Sequence, residues 1–129
     1  MPEALKERSE IQEQYKWDLT RMYADDAAWE KALDAFDAQF QALAAYAGKL
    51  NTAAGLRAWF DAQTRAERTL SDLFCYASLR RSEDTRAEAA QAMYARAMAK
   101  YVQYGETAAF AEPEILALPE ETLKAFLED

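Results

Sequence analysis

From Trp29 onward, large apolar side chains return every third or fourth residue, at Leu33, Phe36, Phe40 and Leu43, with Ala47 closing the series. At about 100° of rotation per residue these positions fall on one narrow helical stripe, whereas a half-buried strand would need strict alternation. Such a stripe obliges the chain to pack helix against helix. Glycine and proline, only three of each in 129 residues, leave little material for a turn-rich β fold. Asp25 and Asp26 are good N-cap residues and Gly48 a good terminator, so the first long helix is predicted over 25–47.

The same reasoning extends along the chain. Asn51 or Thr52 caps a second helix over 52–81. Leu56, Phe60, Leu70, Phe74 and Ala77 share one of its faces, with Trp59 and Leu73 on the flank. After a break at Ser82-Glu83-Asp84, the run Thr85-Arg86-Ala87-Glu88 reads as a capping box opening a third helix over 85–110. Ala90, Met93, Tyr94, Ala97, Tyr101, Tyr104 and Ala108 form its main stripe. Met98, Val102 and Ala109 make a second strip, as in a helix sandwiched between neighbours. Pro119 suits the first position of a short helix, Glu120 to Leu127.

Ahead of these helices, residues 1–24 show no sustained period. Leu5 to Gln14 suit a frayed, charged helix, and Asp18 or Thr20 can cap a short turn through Met22 and Tyr23. Tyr15, Trp17 and Leu19 alternate as in an extended arm, whose order requires Trp17 to be substantially buried against the bundle. Short connections favour antiparallel neighbours. The expected fold is therefore all-α: an antiparallel three-helix up-down-up bundle with an N-terminal arm and a short C-terminal helix. Its parts are the arm 1–24, the bundle 25–111, and at 112–129 the start of a following helical segment that reads as truncated.

Charge and composition exclude several functions. With 23 acidic against 15 basic residues the formal charge is −8, which repels phosphate backbones and anionic lipid, so neither nucleic acid nor membrane is an expected partner. No apolar run has the length of a membrane span, and the start Met1-Pro2-Glu3-Ala4-Leu5-Lys6-Glu7 lacks a signal-peptide core. The single cysteine, Cys75, fits a reducing cytoplasm. The chain contains no histidine at all. That removes a histidine-ligated zinc, a Ser-His or Cys-His nucleophile and a Glu-x-x-His di-iron site.

Four groups of residues nonetheless invite a functional reading. Asp26, Glu30, Asp34 and Asp37 share a flank of the first helix and suggest a hard-cation site, yet they read better as a solvated face. Cys75, between Phe74 and Tyr76, reads as a semi-buried structural thiol. Tyr94, Tyr101 and Tyr104 have the spacing of a peptide groove but equally of a core stripe, and core is the commoner cause. Gln63 and Glu67 fall inside the apolar stripe of the second helix. There they either hydrogen-bond tyrosine hydroxyls of the third helix or mark a face turned to water or to a missing partner. No catalytic, cofactor-binding or metal-ligating residue is expected in this chain.

Taken in order, several segments resemble the opening of the oligoendopeptidase F family: Tyr15-Lys16-Trp17-Asp18-Leu19-Thr20 with Tyr23 and Trp29, then Gly48-Lys49-Leu50, Tyr76-Ala77-Ser78-Leu79-Arg80, Glu83-Asp84-Thr85, and Phe110-Ala111-Glu112-Pro113-Glu114-Ile115-Leu116. The resemblance implies the N-terminal region of a cytosolic zinc metalloendopeptidase that cleaves internal bonds of short peptides. Such a region would wall one side of the substrate channel. The zinc-binding His-Glu-x-x-His helix would lie elsewhere in the parent, and no position here matches it. The implied partners are the catalytic remainder and, through it, oligopeptide substrates. Zinc belongs to the parent and no cofactor to this chain, which alone should be inactive. The competing reading is a stand-alone helical interaction module.

Overall fold

A computed structural model describes residues 4–128. Among them every regular element is helical. The α-helices are α1 (Asp26–Gln41), α2 (Ala53–Glu83), α3 (Glu88–Ala108), α4 (Ala111–Leu116) and α5 (Glu120–Phe126). Short 3₁₀ turns occupy Arg8–Glu10, Glu13–Tyr15, Leu19–Arg21 and Ala42–Tyr46.

Asp25 starts α1 as its residue type predicts, its carboxylate accepting the Ala28 N–H at 2.8 Å. The predicted stripe is the buried one: Trp29, Leu33, Phe36, Phe40 and Leu43 are all enclosed. The helix tightens after Gln41, however, so Leu43 enters the core from a 3₁₀ segment, and Ala47 lies at the surface. Gly48, at φ +79°, makes the reversal. Thr52 then caps α2 by accepting the Gly55 N–H at 3.0 Å. Here the chain folds so tightly that a Cβ on Gly55 would lie 2.0 Å from the Lys49 carbonyl oxygen, which explains a glycine inside the first turn of a helix.

The third helix begins later than its sequence suggests. Thr85 caps nothing by its side chain; α3 opens at Glu88 behind Ala87. Asp84 has taken over the turn, its side chain accepting the Arg86 N–H at 2.9 Å and its carbonyl the Ala87 N–H at 3.1 Å. This local Asx arrangement competes directly with helix initiation at Thr85. The buried face of α2 is also rotated from the expected one. Trp59, Ala66, Leu70, Leu73, Tyr76 and Ala77 are inside, while Phe60 is 49% exposed.

Side chains tie the long helices together. At the start of α1, Asp26 meets Tyr76 and Arg80 near the end of α2. Trp29, fully buried, donates its indole N–H to the Leu73 carbonyl at 2.8 Å. Phe74 of α2 packs on Tyr94 and Tyr101 of α3, with centroids 5.4 and 6.4 Å apart. Glu30 and Asp37 of α1 pair with Arg96 and Lys100 of α3, each at 2.5 Å. Trp59 stacks edgewise on Tyr46 and on Phe110, binding the α1–α2 connection and the entry to α4 to the same core.

Beyond α3, Pro113 sits inside the first turns of α4, where its missing N–H costs nothing. Pro119 is the N-cap of α5 rather than its first residue. In the arm, Leu5 to Gln14 form two 3₁₀ turns instead of an α-helix. Asp18 does cap a short turn, accepting the Thr20 N–H at 3.1 Å. The expectation for Trp17 fails: it is 66% exposed, and Leu19, Met22 and Tyr23 pack on the core instead. Leu19 opens the turn at Leu19–Arg21 and Met22 and Tyr23 follow it, whereas Trp17 precedes it.

Candidate functional site

Two hollows lie on different faces of the protein. The first, an open cleft of about 840 Å³, lies between the arm and the junction of α1 with α2. Arg8, Lys16, Trp17, Tyr23, Asp26, Tyr76, Arg80 and Glu83 line it among others. An ion-pair chain runs through its floor. Arg8 pairs with Glu83 at 2.9 Å, and Arg80 Nη1 donates to the other Glu83 oxygen at 2.7 Å. Arg80 also holds Asp26 with two bonds of 2.9 Å, a bidentate fit, while the Tyr76 hydroxyl donates to Asp26 at 2.7 Å.

These contacts shift the acid and the phenol in opposite directions. The Arg80 guanidinium, chiefly, holds the Asp26 carboxyl below the usual aspartate range, with the Tyr76 hydrogen bond adding to it. Burial, then its bond to Asp26, pushes the Tyr76 phenol up to about 12. Each charge in the floor is thus already matched, which makes the cleft a fastening between arm and bundle rather than a reactive centre.

The second hollow is apolar and runs along α2 and α3 toward α4 in two adjoining parts of about 340 and 290 Å³. Phe60, Gln63, Glu67 and Phe74 come from α2, Tyr101 and Tyr104 from α3, Ala109 from the residue that caps α3, and Ile115 and Leu116 from α4. The tyrosine stripe divides here. Tyr104 is buried, Tyr94 half-buried under the Arg81 guanidinium at 4.6 Å, and Tyr101 58% exposed. The Tyr104 hydroxyl donates to Glu67 Oε1 at 3.0 Å, and Gln63 donates to the same oxygen at 3.2 Å. Burial above all, reinforced by that carboxylate, raises the Tyr104 phenol well beyond its ordinary range. Glu67 therefore meets a tyrosine of the third helix and still lies at the surface, so both sequence readings hold in part.

The remaining sequence candidates disperse. Of the acidic flank, Asp26, Glu30 and Asp37 are bound to Arg80, Arg96 and Lys100, and Asp34 is exposed. That flank is an interhelical ion-pair seam, which the sequence could have suggested only had the facing residues been known. Cys75 is exposed rather than semi-buried. Zinc does not fit this chain: there is no imidazole, one thiol, and among the described residues no group of three or more Cys, Asp or Glu placed to hold a metal ion. Among the described residues, no helix is long and apolar enough to cross a membrane. Glu114 went unnoticed in the sequence. Its carboxylate accepts the Gly48 and Leu50 N–H groups at 3.1 and 3.3 Å, pinning the α1–α2 turn to α4.

No protein-family model matches the chain. It is 32% identical over 121 residues to the group B oligopeptidase PepB of Streptococcus agalactiae, covering 93% of this chain and 20% of that protein. The plasmid oligoendopeptidase F of Lactococcus lactis subsp. cremoris is 32% identical over 124 residues, 95% of this chain and 21% of its own length. The oligopeptidase PepF of Bacillus subtilis is 31% identical over 124 residues, with 95% and 18% covered. The chain thus spans about a fifth of the length of the curated relatives it matches. In three dimensions it resembles part of a crystal structure of a candidate peptidase from Chlamydophila abortus. That match has a TM-score of 0.89 and 26% identity, over 98% of this chain and 22% of that one.

Proposed function

The chain is related to the oligoendopeptidases F, and from that kinship we propose that it is the non-catalytic N-terminal helical region of a zinc metallopeptidase of this kind. The observation that carries the reading is the pair of coverages: nearly all of this chain matches, yet only about a fifth of each relative is matched. A piece of that size without histidine contributes shape, not chemistry. Its role is to wall a substrate channel, admitting oligopeptides and excluding folded proteins by bulk. The catalytic remainder is its partner, and the zinc and its His-Glu-x-x-His helix belong there, in a cytoplasmic protein.

The domain plan follows from the same reading: an arm over 1–24, a bundle over 25–111 and the opening of a further helical segment over 112–129. The interhelical contacts support an up-down-up course for the bundle. The start of α1 meets the end of α2, while Glu30 and Asp37 meet Arg96 and Lys100 in the same order along α1 and α3.

A stand-alone helical interaction module is the second reading, favoured by the exposed apolar residues Tyr101 and Val102 on α3. Sequencing the gene past the codon for Asp129 separates the two. A downstream His-Glu-x-x-His is expected. An immediate stop codon would overturn the peptidase reading in favour of the module.

A further inference from the structure

The α3 strip that sequence periodicity marks as a second apolar side is not covered by this chain's own helices. Met98 and Val102 of that strip are 38% and 55% exposed and its Ala109 lies at the surface, while Tyr101, from the main stripe, is 58% exposed beside them. Across the adjoining hollow, Phe60 of α2 is 49% exposed and Leu116 of α4 is 75% exposed. A contiguous apolar face contributed by three helices is what a protein–protein contact leaves when its partner is removed.

In the relatives, the part that this chain matches is continuous with about four times as much additional polypeptide. The face also carries a sign. Glu67 and Glu112 line the two hollows, and among the described residues no lysine or arginine does. Both hydrogen bonds to Glu67 fall on Oε1, and among the described residues Oε2 has no partner. A second copy of the chain would bring another Glu67 and another net charge of −8 against this face, an unfavourable match.

We propose that the α2–α3–α4 face, centred on Phe60, Glu67 and Tyr101, is the docking surface for the catalytic remainder of the peptidase, which meets it with apolar side chains and a basic donor for Glu67. This rests on the reading of the chain as a peptidase region, and it deepens that reading by naming the interface. The exposed arm residues Tyr15 and Trp17, the latter lining the ion-paired cleft, are assigned no part in it.

The test titrates this 129-residue chain against Bacillus subtilis PepF from which the matching segment has been deleted, reading binding by calorimetry and peptide cleavage in parallel. Because Phe60, Tyr101 and Leu116 are exposed, F60E, Y101E and L116E should retain the fold, checked by circular dichroism and thermal melting. A35E, at an exposed position on α1, is the control. Expected are binding by the unaltered chain and by A35E, and at least tenfold weaker binding by two or more of the three groove variants. E67Q should weaken binding more at low salt than at high salt. Binding and cleavage restored by every groove variant as well as by the unaltered chain would overturn the interface while leaving the peptidase reading intact. A chain that dimerises through the groove, with the dimer lost in Y101E, would overturn it in favour of a second copy. Absence of binding by the unaltered chain to a truncated PepF that circular dichroism shows to be folded would overturn the interface, while the peptidase reading stands or falls on the downstream His-Glu-x-x-His.

Discussion

Replacing Trp29 by phenylalanine should cost this protein far more than removing an equally large aromatic from its arm. Trp29 is fully buried, and its indole N–H donates to the Leu73 carbonyl at 2.8 Å, linking α1 to α2. Phenylalanine keeps most of the apolar body but forfeits that bond, worth about 0.5–1.5 kcal/mol net. The Leu73 carbonyl lies inside α2 and keeps its helical partner, so no full desolvation penalty is added. Loss of the pyrrole portion leaves a void of a few heavy atoms, and burial plus cavity terms add about 1.5–2.5 kcal/mol. The Arg96 guanidinium, 5.7 Å from the ring centroid, also loses its better aromatic face. The sum is about 2–4 kcal/mol. With an unfolding entropy of about 2.1 cal/mol/K per residue, the midpoint should fall by roughly 7–15 °C for a chain of this length. Calorimetric or dichroism-monitored melting gives the shift directly, and urea titration checks it at constant m-value. A loss below about 0.5 kcal/mol would refute the reasoning, since it would mean that the site is neither dry nor tightly packed.

The same assays settle three further expectations. Trp17→Ala should change stability by less than about 0.5 kcal/mol, because Trp17 is 66% exposed, and a drop of 2 kcal/mol would show that the arm folds over it in solution. Gly55→Ala should destabilise by about 1–3 kcal/mol despite alanine's better helix propensity, since its Cβ would lie 2.0 Å from the Lys49 carbonyl oxygen; a stabilised variant would contradict that turn. Asp26 has a folded pKa below its unfolded value, so its contribution is fully present above about pH 4 and fades as pH falls through the lowered folded value. The stability gap between the natural chain and Asp26→Asn should therefore narrow on acidification, and a gap that widens would reverse the assignment.

Much of the site was legible only at the level of residue pairs. Gln63 and Glu67 stood out because a carboxylate inside an apolar stripe is costly, and the structure does give Glu67 a tyrosine and an amide. The strip of Met98, Val102 and Ala109 was visible as a second apolar side, but its lack of cover was not, because periodicity reports a face and never its neighbour. Glu114 carried no signal, since its two backbone partners, Gly48 and Leu50, are more than sixty residues away.

The sequence by itself determined the helical class, a cap at Asp25 or Asp26 and another at Asn51 or Thr52 (Asp25 and Thr52 in the structure), the reversal at Gly48 and the exclusion of histidine chemistry, all of which depend on residue identity or on contacts within a few positions. Tertiary structure decided the rest. It chose which side of α2 is buried, because a helix of 31 residues with apolar groups on several sides can meet its neighbours at more than one rotation. It turned the acidic flank of α1 into ion pairs, because Arg80, Arg96 and Lys100 arrive from other helices. It left Trp17 outside while Leu19 and Tyr23 went in, because the 3₁₀ turn at Leu19–Arg21 redirects the chain after Trp17, and only the packed core behind that turn fixes where its side chains point.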